Sequence, residues 1–288
     1  MPLMEGCSLG TCPLSASIYQ YRPSLPANAV FIALFALSGT LHLLQQLLWR
    51  TNTSFTIPIL IGSIGEIIGY VGRIMPYHNP FSMNGFLIQI CSLTISPAFY
   101  TAAIYFCIAD IVRLFGGRET SRLKPNQYAW IFIPCDIISL VLQGLGGGLA
   151  SVATQEKKDG STGTNIMIAG LAFQVFSLLM FILLLAEFMA RVYKRGYLWR
   201  DVNNDYEMKV GGVRSGRAAR MRLCAFFGGF LLAILCIFIR CAYRVAELSN
   251  GWDGELIHDE GTFIGLEGVM IVVAVFSLNV GHPKMLTL

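Results

Sequence analysis

Along this chain, apolar residues gather into blocks of about eighteen residues or more, the pattern of helices that cross a bilayer. The blocks predict helices over about 28–48, 55–73, 84–112, 129–152, 166–188, 223–243 and 263–280. Pro58, Pro97 and Pro134 fall inside three of them and are expected to bend or loosen the helix, since each removes one backbone donor. Residues 1–27 are polar, carry Pro13, Pro23 and Pro26, and lack the basic start and apolar core of a cleavable signal peptide. The first helix is therefore expected to act as a signal anchor.

Composition narrows the class. Hydrophobic residues make up 55% and charged residues 13%, with a mean hydropathy of +0.60. The expected fold class is an all-α polytopic membrane protein with seven transmembrane helices in one domain, 28–288. Seven spans put the termini on opposite sides, and the placement of Lys and Arg chooses which. With the amino terminus outside, fifteen basic residues are cytoplasmic: Arg50, four from Arg113 to Lys124, nine from Arg191 to Arg222, and Lys284. Five are outside (Arg22, Arg73, Lys157, Lys158 and Arg244), and Arg240 lies within a helix. The positive-inside bias thus predicts an extracellular amino terminus and a cytoplasmic carboxyl terminus.

That orientation puts the sequon Asn52-Thr53-Ser54 in a cytoplasmic loop, where it cannot be glycosylated. The longest loop, 194–222, is basic with glycines, and reads either as a surface near anionic lipid or as a solvated linker. Cys91, Cys107, Cys135, Cys224, Cys236 and Cys241 lie in or at the ends of apolar blocks, where cysteine is a small packing residue. Only Cys7 and Cys12 lie in a polar segment, and an extracellular amino terminus would let them pair. No period of roughly twenty to fifty residues marks an internal repeat.

An ionisable side chain near the centre of a membrane helix costs about 2.5–3.5 kcal/mol, so each one needs a reason. In the second helix Glu66, Tyr70 and Arg73 stand at i, i+4 and i+7 on one face, with Gly65, Gly69 and Gly72 allowing a neighbour to approach. In the fourth, Asp136, Ser139 and Gln143 share a face above a glycine-rich end. Gln89, Gln174 and Glu267 lie in the third, fifth and seventh. In the sixth, Arg240, Arg244 and Glu247 again stand at i, i+4 and i+7. Arg240 needs an acidic partner at its depth, which Glu66 or Glu267 can provide; Arg244 and Glu247 are expected at the outer interface, bridging each other. His42 and Asp136 lie deeper, with Asp110 and His282 near the inner boundary.

Two readings follow. In one, these residues are structural, joined in internal ion pairs and interhelical hydrogen bonds. In the other, Glu66, Gln89, Gln143, Gln174, Arg240 and Glu267, from six helices at one depth, line a polar cavity in the outer half that holds a charged headgroup. Asp253, Glu255, Asp259 and Glu260 at its mouth would favour a cationic amphiphile.

Catalytic chemistry finds little support. His42, His78, His258 and His282 form no H-E-x-x-H or paired spacing, no C-x-x-C exists, and no G-x-x-x-x-G-K-[ST] loop is present. No catalytic residue, metal site or cofactor is expected. The seventh helix has no lysine for a retinal Schiff base and no N-P-x-x-Y, and D-I-V-R at Asp110 to Arg113 matches a receptor acid–arginine motif only loosely.

Taken in order, the motifs resemble the fungal RTA-like family, also called the lipid-translocating exporter family. They are Y-R-P-S-L-P-A-N from Tyr21, His42, G-E-I-I-G-Y-V-G-R from Gly65, S-P-A-F-Y-T-A-A-I-Y from Ser96, and S-R-L-K-P from Ser121. They continue with D-I-I-S-L-V-L-Q-G-L-G-G-G from Asp136, G-L-A-F-Q from Gly170, I-R-C-A-Y-R-V-A-E from Ile239, G-W-D-G from Gly251, and H-P at His282. Departures are few: a serine is usual where Cys241 stands, an aromatic where Gly281 stands, and glycine where Lys284 follows H-P. The resemblance implies a fungal seven-span protein, most simply of the plasma membrane, associated with translocation of sphingoid long-chain bases and resistance to toxic amphiphiles such as aminosterols. Its implied partners are membrane lipids or amphiphilic small molecules, with no nucleic acid. The competing expectation is a seven-span lipid sensor that transports nothing.

Overall fold

The computed structural model describes residues 12–14, 17, 19–49, 53–81, 83–114, 121–156, 158–194, 216–249 and 255–283. The described residues are helical throughout their ordered elements, without a strand. The seven long helices are α1 (Leu25–Trp49), α2 (Thr53–His78), α3 (Met83–Leu114), α4 (Pro125–Gln155), α5 (Ser161–Lys194), α6 (Gly216–Ser249) and α7 (Glu260–Val280). Each contains a stretch long and apolar enough to cross a bilayer. The protein is an integral multi-pass membrane protein.

All seven expected helices are present, and most run past their apolar blocks. Backbone hydrogen bonding continues until a specific residue stops it, whereas hydropathy falls as soon as side chains turn polar. α2 runs on through Arg73 to His78, and Pro80 stands two residues beyond. α4 begins earlier than its apolar block, at Pro125, whose missing N–H is no loss in a first turn. There the Gln127 side chain accepts a hydrogen bond from the Lys124 N–H at 2.7 Å, half of a capping box. At the head of α7, Asp259 caps the helix by accepting from the Gly261 N–H at 3.0 Å. Phe263–Val269 within α7 is a π-helical stretch, a local widening frequent at functional sites.

Neighbouring helices in sequence pack side by side, and α7 returns to α1, so the seven close into a ring. α3 also touches α6 across the middle, and it is the inner helix, with 72% of its membrane-length window buried against 33–50% for the others. Two seams bring backbones together. A Cβ on Gly72 would sit 2.8 Å from the Gln89 N atom of α3, and one on Gly146 would sit 2.6 Å from the Gly163 O atom of α5. No larger residue fits there without moving a helix.

One end of the bundle, the amino-terminal face, carries the start of α1, α3, α5 and α7 and the end of α2, α4 and α6. A cluster of Tyr19, Met83, Phe86, Ile90, Met167, Leu171, Leu248 and Ile257 packs there. The larger core, centred on Tyr105, Phe181, Phe226 and Phe230, fills the rest. Residues 195–215, most of the expected basic loop, lie outside the described residues, as does Asn52 of the sequon. Cys12 is disulfide-bonded, and Cys7, the partner expected for it, also lies outside them.

Candidate functional site

The buried charges collect where α2, α3, α6 and α7 meet. Arg240 and Glu267, both 1% exposed, form an ion pair at 2.5 Å. Arg240 Nη2 also donates to the Leu93 carbonyl of α3. One helical turn closer to the amino-terminal face, Arg244 pairs with Glu247 and donates to Thr94 Oγ1 at 3.2 Å. Its Nε lies 3.9 Å from Glu267 Oε2, which links the two pairs. Of the two candidate partners for Arg240, the ion pair goes to Glu267. Arg244 and Glu247 do bridge each other as expected, and although they lie within two turns of the helix end both are buried.

What buries them is the polypeptide ahead of α1. Gln20 adopts a left-handed backbone conformation with φ 58°, turning the chain so that the rings of Tyr19 and Tyr21 stand 5.8 Å apart. Tyr19 donates to Gln89 Oε1 at 2.5 Å, and Arg73 Nη2 donates to the Tyr21 hydroxyl oxygen at 2.6 Å. The Arg73 guanidinium lies 3.7 Å from the centre of the Phe263 ring and 5.3 Å from that of Tyr19. A buried cation is thus satisfied by a phenol and aromatic faces rather than by a carboxylate. Burial pushes both phenols above their ordinary value of 10, against the pull of Arg73, so each remains a neutral hydroxyl. The segment is fixed further by Ser24 N–H to Glu260 Oε1 at 2.6 Å, Arg22 Nε to the Tyr77 carbonyl at 2.9 Å, and a 3.1 Å contact of His258 with the Tyr19 carbonyl.

Beneath this cap is a small pocket lined by Tyr19, Arg73, Gln89, Arg244, Glu247 and Phe263 among others. Deeper, Glu66 is 1% exposed and its Oε1 has no hydrogen-bond partner. Arg240, Glu267 and Arg244 are the charged groups that act on it. Tyr70, on the same face of α2, is buried against Phe31 and Phe35 of α1, with ring centroids 4.9 and 5.8 Å away.

The remaining expected site residues are elsewhere. Gln143 donates to Gln174 Oε1 at 2.9 Å, joining α4 to α5 and nothing in the charge network. Asp136 accepts from Thr101 Oγ1 at 2.8 Å, joining α4 to α3. A shared depth therefore does not make one cavity of all six helices. Tyr19, Tyr21, Thr94 and Phe263 are the contributors that the sequence reading does not name. Tyr21 opens the Y-R-P-S-L-P-A-N motif, but nothing in that motif says that it folds back over Arg73.

A family model described as RTA1 like protein matches residues 59–288, which include α3–α7 and most of α2. The chain belongs to this family. Among RTA1-like relatives it is similar to the sphingoid long-chain base transporter RSB1 of Saccharomyces cerevisiae, 34% identical over 278 residues, covering 91% of this chain and 72% of the relative. It is also similar to protoporphyrin uptake protein 1 of the same yeast, 24% identical over 297 residues, covering 92% of this chain and 91% of the relative. Protein RTA1 of that yeast is 25% identical over 289 residues, covering 92% and 84%. No solved structure matches.

Proposed function

We propose that this RTA1-like protein translocates cationic amphiphiles, sphingoid long-chain bases foremost, across a fungal membrane, most simply the plasma membrane. The carrying observation is the 34% identity, over 91% of this chain, to a protein named as a transporter of such bases. The charge network supports it. An ammonium headgroup leaves water only if polar groups replace its hydration; Glu247 lines the capped pocket with Tyr19 and Gln89, Glu267 is linked to it through Arg244, and Glu66 is buried beyond them. In this reading Glu66, Tyr70, Arg73, Gln89, Arg240, Arg244, Glu247 and Glu267 form the headgroup site. Gln143, Gln174 and Asp136 hold the helices around it. The lysine and arginine distribution supports an extracellular amino-terminal face.

The test is reconstitution of the full chain into liposomes with a fluorescent long-chain base. Leaflet exchange should exceed that of protein-free vesicles and fall at least tenfold on Arg240→Gln, a rise of about 1.4 kcal/mol in the barrier. Exchange at the protein-free rate, with the base still bound, would replace the transporter by a sensor.

A further inference from the structure

One acid in the network has no cation of its own. Arg240 is held by Glu267, Arg244 by Glu247 with Glu267 beyond, and Arg73 by the Tyr21 oxygen and the Phe263 ring. Among the described residues Glu66 makes no ion pair, and its Oε1 is buried without a partner. The groups facing it are Arg240 and Arg244 of α6, Glu267 of α7, Tyr70 on its own helix and Tyr100 of α3. The Tyr100 hydroxyl is engaged with Ser63 Oγ at 3.4 Å, and α1 offers only the rings stacked on Tyr70.

Ionised, Glu66 would place a third carboxylate beside Glu267 and Glu247 against the two arginines of α6, at a position 1% exposed. A buried unpaired carboxylate takes up a proton instead. Glu267 differs, because its Oε2 has Arg244 Nε at 3.9 Å. Position matters as well: Glu66 is twelve residues from the His78 end of α2, about 18 Å of helix below the amino-terminal face. It is thus the deepest acid of the network, where a headgroup that has passed the cap would come to rest.

We propose that Glu66 exchanges its proton for the cationic headgroup, so that the protein couples amphiphile movement to a proton gradient. The proposal rests on the substrate class proposed above and adds what powers the transport. In the closed form the Glu66 carboxyl holds a proton. When an ammonium enters, the O–H bond breaks, the proton leaves to the water through which the headgroup came, and the carboxylate pairs with the cation. When the amphiphile leaves, a proton returns. The site carries one positive charge in either form, so exchange moves one proton against one amphiphile without net charge. No oxidant, metal or nucleotide takes part.

The test uses purified full-length protein in detergent and weak buffer near pH 7, with a pH indicator and an N,N,N-trimethyl long-chain base. That probe is permanently charged, so it releases no proton itself and cannot cross as a neutral amine. The wild type should release about one proton per molecule bound. Glu66→Gln, isosteric with the protonated acid, should bind without release, and Glu66→Asp should restore it. Binding by the wild type with no proton released overturns the exchange and leaves the transporter reading standing, as does undiminished release from Glu66→Gln. Absence of binding by the wild type overturns the cationic substrate class, and the exchange with it. Should Glu66→Gln fail to fold, the wild-type stoichiometry and Glu66→Asp decide.

Discussion

Toward the amino-terminal face, the bundle interior holds three arginines and three glutamates, with an extra segment of chain folded over them. Toward the opposite face it holds Tyr105, Phe132, Phe181, Phe226 and Phe230, with few polar side chains, among them Asp136, His42 and His282. The first half is held by directional bonds whose partners come from different helices, and loss of one partner strands the other. The second half is held by shape, and its residues can be exchanged for others of similar volume at modest cost. A membrane protein that needed only stability could be built entirely in the second manner. The first half is costly to assemble, which is why function is sought there.

Three predictions test that contrast. The largest effect is expected for Arg240→Leu, which takes the close partner from buried Glu267 and leaves it only Arg244 at 3.9 Å. It should lower stability by about 3–5 kcal/mol, read as thermal unfolding in detergent, and a second change, Glu267→Leu, should recover most of the loss. If the single variant is as stable as the wild type, the two halves do not differ as described. A smaller effect is expected for Tyr21→Phe, which removes one acceptor from Arg73 but keeps the ring. A loss of about 1.5–3 kcal/mol is expected, with faster proteolysis of the amino-terminal segment as the second readout. The third belongs to the opposite face. His282 is packed against Trp49 and Phe55, with ring centroids 5.2 and 5.5 Å away, and burial lowers it from 6.5 to about 4. The folded state therefore resists its protonation while the unfolded state does not. Its contribution is full above about pH 6.5 and is lost as the pH falls toward 4. The difference between wild type and His282→Phe across that window isolates it; parallel stability curves would refute the assignment.

The seven helices were legible because a span announces itself by a long apolar block. The need of Arg240 for an acid was legible too, since a buried guanidinium cannot be left alone, and Glu267 was one of the two candidates. What could not be read was azimuth. Position along a helix sets the depth of Gln143 and Gln174, but which way α4 and α5 turn is set by packing at Gly146 and Gly163, and the two glutamines face each other. Nor could the cap be read. A polar, proline-bearing stretch ahead of a helix looks like a solvated tail, and only the left-handed turn at Gln20 and the contacts of Tyr19 and Tyr21 with Gln89 and Arg73 show otherwise. That omission is also why the burial of Arg244 and Glu247, expected at the outer interface, was not foreseen.

Tyr21 is joined to α1 through only Arg22, Pro23 and Ser24. Its hydroxyl therefore competes for Arg73 as an internal ligand, at a local concentration on the order of millimolar for so short a tether. A solute that visits Arg73 from dilute aqueous solution is at a disadvantage before any contact is counted. An amphiphile already concentrated in the bilayer is not, because the lipid phase raises its own local concentration to match. If the proposed headgroup site is right, a tethered tyrosine of this kind would act as a threshold, discriminating by the phase from which a ligand arrives as much as by its shape.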